Sequence, residues 1–397
     1  MVSPLRYTKS MKLYNFQQKK INKISFDTHI SMYVCGVTPY DSAHLGHIFT
    51  FMTYDLLARY LRHMGHTTKI VRNITDVDEP IYAKAEQLGV DYKDLAEQEI
   101  VLFQSVMKKL NLSVDIEPKA SDYIQQMSIE VQQLIDKGYG YRVQNGDIYF
   151  DVSKFSDHGA ISTLSHELQL KLSAERGGDP TNPNKRNALD FLLWKMIEPS
   201  DYPGWTTDLG FGRPGWHIEC SVMSQSNLEL PITIHGGGLD LLFPHHASEI
   251  AQSEALENSF VSNWMYVAPL LYKGEKMSKS LGNLLFAKDI LEQYEPQVLR
   301  LALMNFNYRV GGEWCEGLLE EMDQAWITIQ NALKTQSSFD SSDHIKQFLS
   351  FAEHDLNMPR MLDSLLLLSA EILSNPSDDG EINEDLRSMI SVCGLVN

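Results

Sequence analysis

Two short runs in this 397-residue sequence combine residue types suited to stabilising negative charge. His44-Leu45-Gly46-His47 stands just ahead of an apolar helical pattern. There, first-turn N–H groups point outward and the helix dipole favours anions. Two imidazoles at such a place could hydrogen-bond a phosphate that gains charge in a transition state, although histidines that only cap a helix would look the same in sequence. Lys276-Met277-Ser278-Lys279-Ser280, between Gly274 and Gly282, carries two ammoniums and two hydroxyls. Such a segment can close over a triphosphate and stabilise a departing pyrophosphate; a solvated basic turn is the plainer reading. Cys35, Cys220, Cys315 and Cys393 are widely separated. In a reducing compartment they read as buried thiols or scattered metal ligands, and a disulfide framework is not expected.

The elements that must position these residues follow from periodicity. Ser31 to Val34 is a strand candidate running into the turn-rich Cys35-Gly36-Val37-Thr38-Pro39-Tyr40-Asp41. Phe49, Met52, Leu56, Leu57, Tyr60 and Met64 then share one helical face, Gly65 is a natural stop, and Thr67 to Arg72 reads as a second strand ending at Asn73-Ile74-Thr75-Asp76. Strand, loop, helix, strand is a βαβ unit, so a parallel sheet with a ligand at the strand C-termini is expected. Helical spacing returns over Asp91 to Leu110 and Ser121 to Lys137, and Asn145-Gly146 marks a hairpin within Tyr139 to Phe150. This middle region reads as an insertion between two halves of one sheet, the second half resuming with Trp216 to Met223 and Ile232 to Ile234. Beyond Lys276 the pattern is mostly helical, with a polar loop expected from Ser337 to Asp343.

Composition narrows the function classes. With 34 Lys and Arg against 52 Asp and Glu, the formal charge is −18, so a nucleic-acid partner could be gripped only by a local basic patch. A hydrophobic content of 43% is sufficient for a real core and argues against dominant disorder. Length suggests two to three domains. There is no long uncharged apolar stretch and no apolar signal region at the N-terminus, so a cytoplasmic protein without membrane association is expected.

The HLGH and KMSKS runs, in this order around a split sheet, are the pair that marks class I aminoacyl-tRNA synthetases. The chain resembles cysteinyl-tRNA synthetases and, more closely, their relative in mycothiol synthesis, the L-cysteine:inosityl-glucosaminide ligase. From about Leu13 onward it shares the segments around Cys35, Cys220 and His245, the run Gly236-Gly237-Gly238-Leu239-Asp240, and KMSKS. Thr38-Pro39-Tyr40-Asp41, Glu175-Arg176-Gly177-Gly178-Asp179-Pro180 and the 117 residues after Ser280 favour the ligase. Glu249 and Ile250-Ala251-Gln252-Ser253-Glu254 look synthetase-like, while Leu239 and Phe49 replace small residues.

The resemblance implies an α/β fold, with a Rossmann-like catalytic domain whose parallel sheet is split by an insertion and followed by a C-terminal helical bundle. Its expected parts are 1–115 and 211–270 for the two catalytic halves, 116–210 for the insertion, 271–320 for a KMSKS-bearing stem-contact segment and 321–397 for the bundle. It implies one zinc ion per chain on Cys35, Cys220, His245 and Glu249, with two thiolates from strands and His246 as a competitor for His245. His44, His47, Lys276 and Lys279 would stabilise the phosphates. Asp240 would pair with the substrate ammonium, Trp216 would pack beside it, and Thr75 with Asn73 and Ile74 would line the adenylate pocket. Cys35, Gly36, Val37, Thr38, Thr50, Gly238, Leu239 and Leu270 are carried over as further contacts. The implied substrates are L-cysteine and ATP with Mg2+, giving cysteinyl-AMP. The leading expectation is transfer to the amine of a small aminosugar-type acceptor by a monomer. The alternative is a compact synthetase charging tRNA(Cys), and the least favoured is a non-catalytic zinc-binding paralogue.

Overall fold

The computed structural model describes residues 10–40, 42–199, 203–277 and 281–395. An antiparallel hairpin, β1 (Ser10–Asn15) and β2 (Lys20–Ser25), precedes β3 (His29–Val37), α1 (Leu45–His63) and β4 (Thr67–Ile74). β3 and β4 pair in parallel, so the βαβ unit read from periodicity is present, with a longer first strand than the apolar run alone marks. Next come α2 (Glu79–Leu88), α3 (Tyr92–Lys109), α4 (Ile124–Asp136), β5 (Gly140–Arg142), β6 (Ile148–Phe150) and α5 (His166–Glu175). β7 (Phe191–Met196), β8 (Trp205–Thr207) and β9 (Gly210–Pro214) complete an antiparallel sheet of order β5-β6-β7-β9-β8. Gly146, at φ 91°, supplies the left-handed residue that the tight Asn145-Gly146 turn requires.

The chain then returns to the first sheet through α6 (Trp216–Asn227), β10 (Ile234–Gly238), α7 (Ala247–Ala255) and β11 (Trp264–Val267). The order is β11-β10-β3-β4, all parallel. Ile234 lies beside Met32 although the insertion separates them in sequence, which is the split α/β sheet expected. Ligand sites in such sheets lie at the strand C-termini, here near Cys35, Gly238 and Val267.

A small sheet follows from β12 (Leu270–Tyr272), β13 (Glu275–Lys276) and, after α8 (Ala287–Ile290) and α9 (Pro296–Met304), β14 (Gly312–Glu313). The remainder is α10 (Leu318–Ala332), β15 (Gln336–Ser337), α11 (Ser342–Glu353), α12 (Met358–Ser374), β16 (Glu381–Ile382) and α13 (Glu384–Val392). The expected loop at Ser337 to Asp343 is thus shorter than read. Ser337 pairs with Glu381, its Oγ donates to Asn375 O at 2.7 Å, and α11 already begins at Ser342. A two-residue ladder has no periodicity to detect.

One correction concerns Cys220. Its thiol was expected from a strand, yet Trp216 to Asn227 is helical, capped by Gly215, and His217 through Ser224 are all buried. A helix enclosed on every side loses the one-faced apolar stripe by which helices are recognised.

Two apolar cores flank the sheet. One joins α1, α9 and the C-terminal helices, with Leu56, Leu57, Leu299 and Leu365 fully enclosed. The other joins α4, α6, α7 and the insertion sheet around Trp194, Phe150 and Met223. Each such side chain contributes about 1.5–3 kcal/mol by leaving water. Among the described residues, no helix is long and apolar enough to cross a membrane.

Candidate active site and metal centre

β3 ends by delivering Cys35 to the C-terminal edge of the sheet. Its neighbour Gly36 donates its N–H to Asn73 Oδ1 at 2.9 Å, and a Cβ there would stand 1.6 Å from Asn73 O. Only glycine allows β3 and β4 to approach so closely at this point. Asn73 also donates from Nδ2 to Thr75 Oγ1 at 3.1 Å, and Thr75 N bonds Val37 O at 3.0 Å.

Cys35 and Cys220 bring their sulfurs to 3.9 Å, and Glu249 Oε1 lies 3.7 Å from Cys35 Sγ and 3.1 Å from His245 Nε2. Cys35, Cys220, His245 and Glu249 each offer a donor atom, all mutually within 4.8 Å. A second set, Cys35, His235, His246 and Glu249, meets the same limit, with His246 Nε2 at 3.3 Å and His235 Nε2 at 3.7 Å from the Cys35 sulfur. His246 therefore competes in space as well as in sequence. His235 went unrecognised at the sequence level; its only signal is a histidine at a strand end just ahead of Gly236-Gly237-Gly238.

The electrostatics suit a cation. Burial pushes the Cys35 and Cys220 thiols and the Glu249 carboxyl upward and holds His235, His245 and His246 well below the ordinary histidine value. By themselves these groups are a neutral cluster; a divalent ion supplies the charge that makes buried thiolates and a carboxylate tolerable. Outer partners are also present: His245 Nδ1 lies 2.9 Å from His217 Nδ1, and His246 Nδ1 lies 3.2 Å from Tyr266 OH. The residues fit a metal. Two sulfurs, one imidazole and one carboxylate form a donor set suited to zinc.

Cys35 also lines a cavity of about 780 Å³. Gly36, Val37, Thr38 and Thr50 border it on one side, and Trp216, Gly238, Leu239, Asp240 and Leu270 on the other. The Trp216 ring lies with its centroid 4.2 Å from that of His245, tilted by 31°, joining the cavity to the donor cluster. His44 and His47 line it as well, their rings stacked at 3.8 Å. His44 is the N-cap of α1, its Nδ1 accepting from Gly46 N at 3.1 Å, so the helix-capping reading and the cavity-facing reading hold together. Asn73, Ile74 and Thr75 stand behind the wall rather than in it: they are buried and do not line the cavity.

At the mouth, Asp240 Oδ2 accepts from Lys276 Nζ at 3.1 Å and from Arg176 Nη2 at 3.2 Å. Burial would raise this carboxyl, but the two cations outweigh it and hold Asp240 below the usual carboxylate range. Arg176 is the second residue whose place sequence reasoning missed, although it lies in a motif singled out for its resemblance. It caps α5; Gly177 follows at φ 78°, and Gly178 N bonds back to Ser173 O at 2.8 Å. This turn aims the guanidinium across the mouth. Lys279, with Ser278 and Ser280, lies outside the described residues.

A parallel sheet split by an insertion, with its cavity at the strand C-termini between HLGH and the first KMSKS lysine, defines the class I aminoacyl-tRNA synthetase fold. Solved structures agree: the fold is similar to Mycobacterium tuberculosis methionyl-tRNA synthetase in complex with methionyl-adenylate, with TM-score 0.66 and 13% identity over 92% of this chain and 88% of that one. It is likewise similar to the Agrobacterium radiobacter K84 agnB2 LeuRS in its ternary complex, with TM-score 0.66 and 9% identity over 92% and 83%. Residues 21–324 match the family described as tRNA synthetases class I (C) catalytic domain, and the chain belongs to that family of ligases. Curated relatives include the cysteine–tRNA ligase of Stutzerimonas stutzeri strain A1501, 40% identical over 86% of this chain and 74% of the relative. That of Idiomarina loihiensis is 36% identical over 93% and 82%.

Proposed function

We propose that this protein activates L-cysteine with ATP as cysteinyl-AMP and transfers it to tRNA(Cys). The carrying observation is that Cys35 belongs both to the four-donor cluster and to the wall of the cavity. The amino-acid side chain is thereby read at the cluster while its carboxylate lies among the phosphate-facing groups. Cys35, Cys220, His245 and Glu249 would hold zinc, which when bound supplies a soft Lewis acid that an ionised thiol ligates and a serine hydroxyl does not. A purely apolar pocket could not reject serine by a comparable margin.

Asp240, kept ionised by Arg176 and Lys276, receives the α-ammonium. Trp216 closes the side beside the thiol. The cysteine carboxylate attacks the α-phosphorus of Mg-ATP in line, and pyrophosphate leaves. His44 and His47 stabilise the charge building on the phosphates, and Lys276 and Lys279 are assigned the same role. A ribose hydroxyl of tRNA then attacks the activated carbonyl, forming an ester and releasing AMP. Asn73 and Thr75 act indirectly by fixing the backbone at Gly36 and Val37.

The relatives' names favour tRNA as acceptor, which reverses the order in which the two enzymatic readings stood from sequence. The second reading, amide formation with a small aminosugar-type amine, is kept because Arg176, from the ligase-like Glu175 to Pro180 element, lines the cavity. The test supplies enzyme, cysteine and ATP with either a tRNA(Cys) transcript or the inosityl-glucosaminide. An ester labile to mild base is expected with tRNA. Amide product alone would overturn the assignment.

A further inference from the structure

The chain is strongly acidic, yet its charge is not evenly spread. Six of the 34 basic residues and none of the 52 acidic ones fall within the first 26 positions. In the described part of this segment, Lys12, Lys19, Lys20 and Lys23 lie on the β1–β2 hairpin, the last three exposed. Among the described residues, none of these lysines forms an ion pair with a carboxylate; Lys12 Nζ instead meets His354 Nε2 at 3.1 Å.

The register sharpens the point. Lys12 lies directly across from Lys23, and like charges at facing positions weaken a two-stranded pair. Tyr14 faces Ile21 on the same side of the hairpin. The Arg309 guanidinium sits 4.7 Å over the Tyr14 ring and pairs with Asp355 at 3.2 Å, and a groove of about 310 Å³ lies beside it, with Ile21, Arg309, His354 and Asp355 on its walls. This face therefore joins lysines to an aromatic ring and an arginine next to a polar groove. Asp355 compensates Arg309 at 3.2 Å, but no carboxylate pairs with Lys12, Lys19, Lys20 or Lys23 among the described residues, and this local conflict between lysines points to a compensating partner.

We infer that the exposed lysines of this hairpin, at its turn and along β2, form with the neighbouring Arg309 a docking surface for the phosphate backbone of tRNA. The inference rests on the tRNA reading above and names the local grip that an acidic chain needs. Its exposed residues are mainly lysines and amides such as Gln17 and Gln18, with Ile21 the large apolar exception, so it is a poor lipid anchor. It also stands near the catalytic sheet: Phe16, at the hairpin tip, packs 5.2 Å from Tyr266 of β11, and Tyr308 O accepts from Ala268 N, which borders the cavity.

The experiment measures binding of a tRNA(Cys) transcript over a potassium chloride series for wild type and the triple variant Lys19→Gln, Lys20→Gln, Lys23→Gln. Each phosphate contact contributes roughly 0.7–0.9 to the slope of log affinity against log salt. The variant should lose about two units of slope and roughly tenfold or more in affinity. Cysteine-dependent ATP–pyrophosphate exchange, which needs no tRNA, should stay at the wild-type level and show that the variant is folded. If wild type binds tRNA and the variant binds it with the same affinity and slope, the surface assignment is wrong while the tRNA reading stands. If wild type binds no tRNA, both fall. Loss of binding to phosphatidylserine vesicles with tRNA binding intact would also overturn the assignment.

Discussion

At the residue scale, Cys220 is the most direct probe of the donor cluster. Its serine variant keeps volume and removes a soft donor, so zinc affinity should fall by more than the roughly 10–100-fold typical of an outer-sphere change. Discrimination against serine should fall with it, read by elemental analysis and by exchange assays with both amino acids. Unchanged zinc content would remove Cys220 from the ligand set. Arg176 tests the mouth. Replacing it with methionine leaves Asp240 one cation, so the carboxyl pKa should rise toward its ordinary value. A depressed carboxyl stays ionised to lower pH, so the acid limb of the kcat/KM profile for cysteine should move to higher pH in the variant, with KM rising more than kcat falls. An identical profile would deny Arg176 this role. Sequence made HLGH, KMSKS and the cysteine–histidine set legible because their residue types are chemically specific. It left His235 hidden, since one histidine beside a glycine run has no spacing to read, and left Arg176 without a target, since its partner lies 64 residues away.

At the scale of elements, a single buried arginine ties the catalytic sheet to the C-terminal helices. Arg300 of α9 donates to Asp55 of α1 at 2.7 Å, to Leu110 O at 2.8 Å and to Cys393 O after α13. Asp55 also holds Arg59 at 2.8 Å. Removing one member of such a pair leaves an uncompensated buried charge, so Asp55→Ala should cost about 3–5 kcal/mol in urea or thermal unfolding. A change under 1 kcal/mol would show that water reaches Arg300. The elements themselves were legible where one face is buried, as in α3 and α4, or where turn chemistry is specific, as at Asn145-Gly146. They were illegible where burial surrounds the helix, as in α6, and where pairing spans two residues, as at Ser337 and Glu381.

At the scale of the whole molecule, the donor cluster draws on β3, α6, the Leu242–His246 turn and α7, so a bound metal would close contacts between distant parts of the chain. Stripping zinc with a chelator should therefore lower the melting temperature as well as abolish exchange, and zinc should restore both; unaltered melting would separate the metal from the fold. The parallel sheet and its insertion were readable from the order of periodic segments. The partner surface was not, because net charge reports only a sum and the basic hairpin emerges when the register sets Lys12 beside Lys23.

Zinc-edge X-ray absorption of the purified protein, before and after cysteine is added, asks whether the proposed metal recognises the thiol of the amino acid. Two sulfur ligands are expected in the free protein and a third with cysteine, with no such gain when serine is added instead. A sulfur count unchanged by cysteine would contradict that recognition.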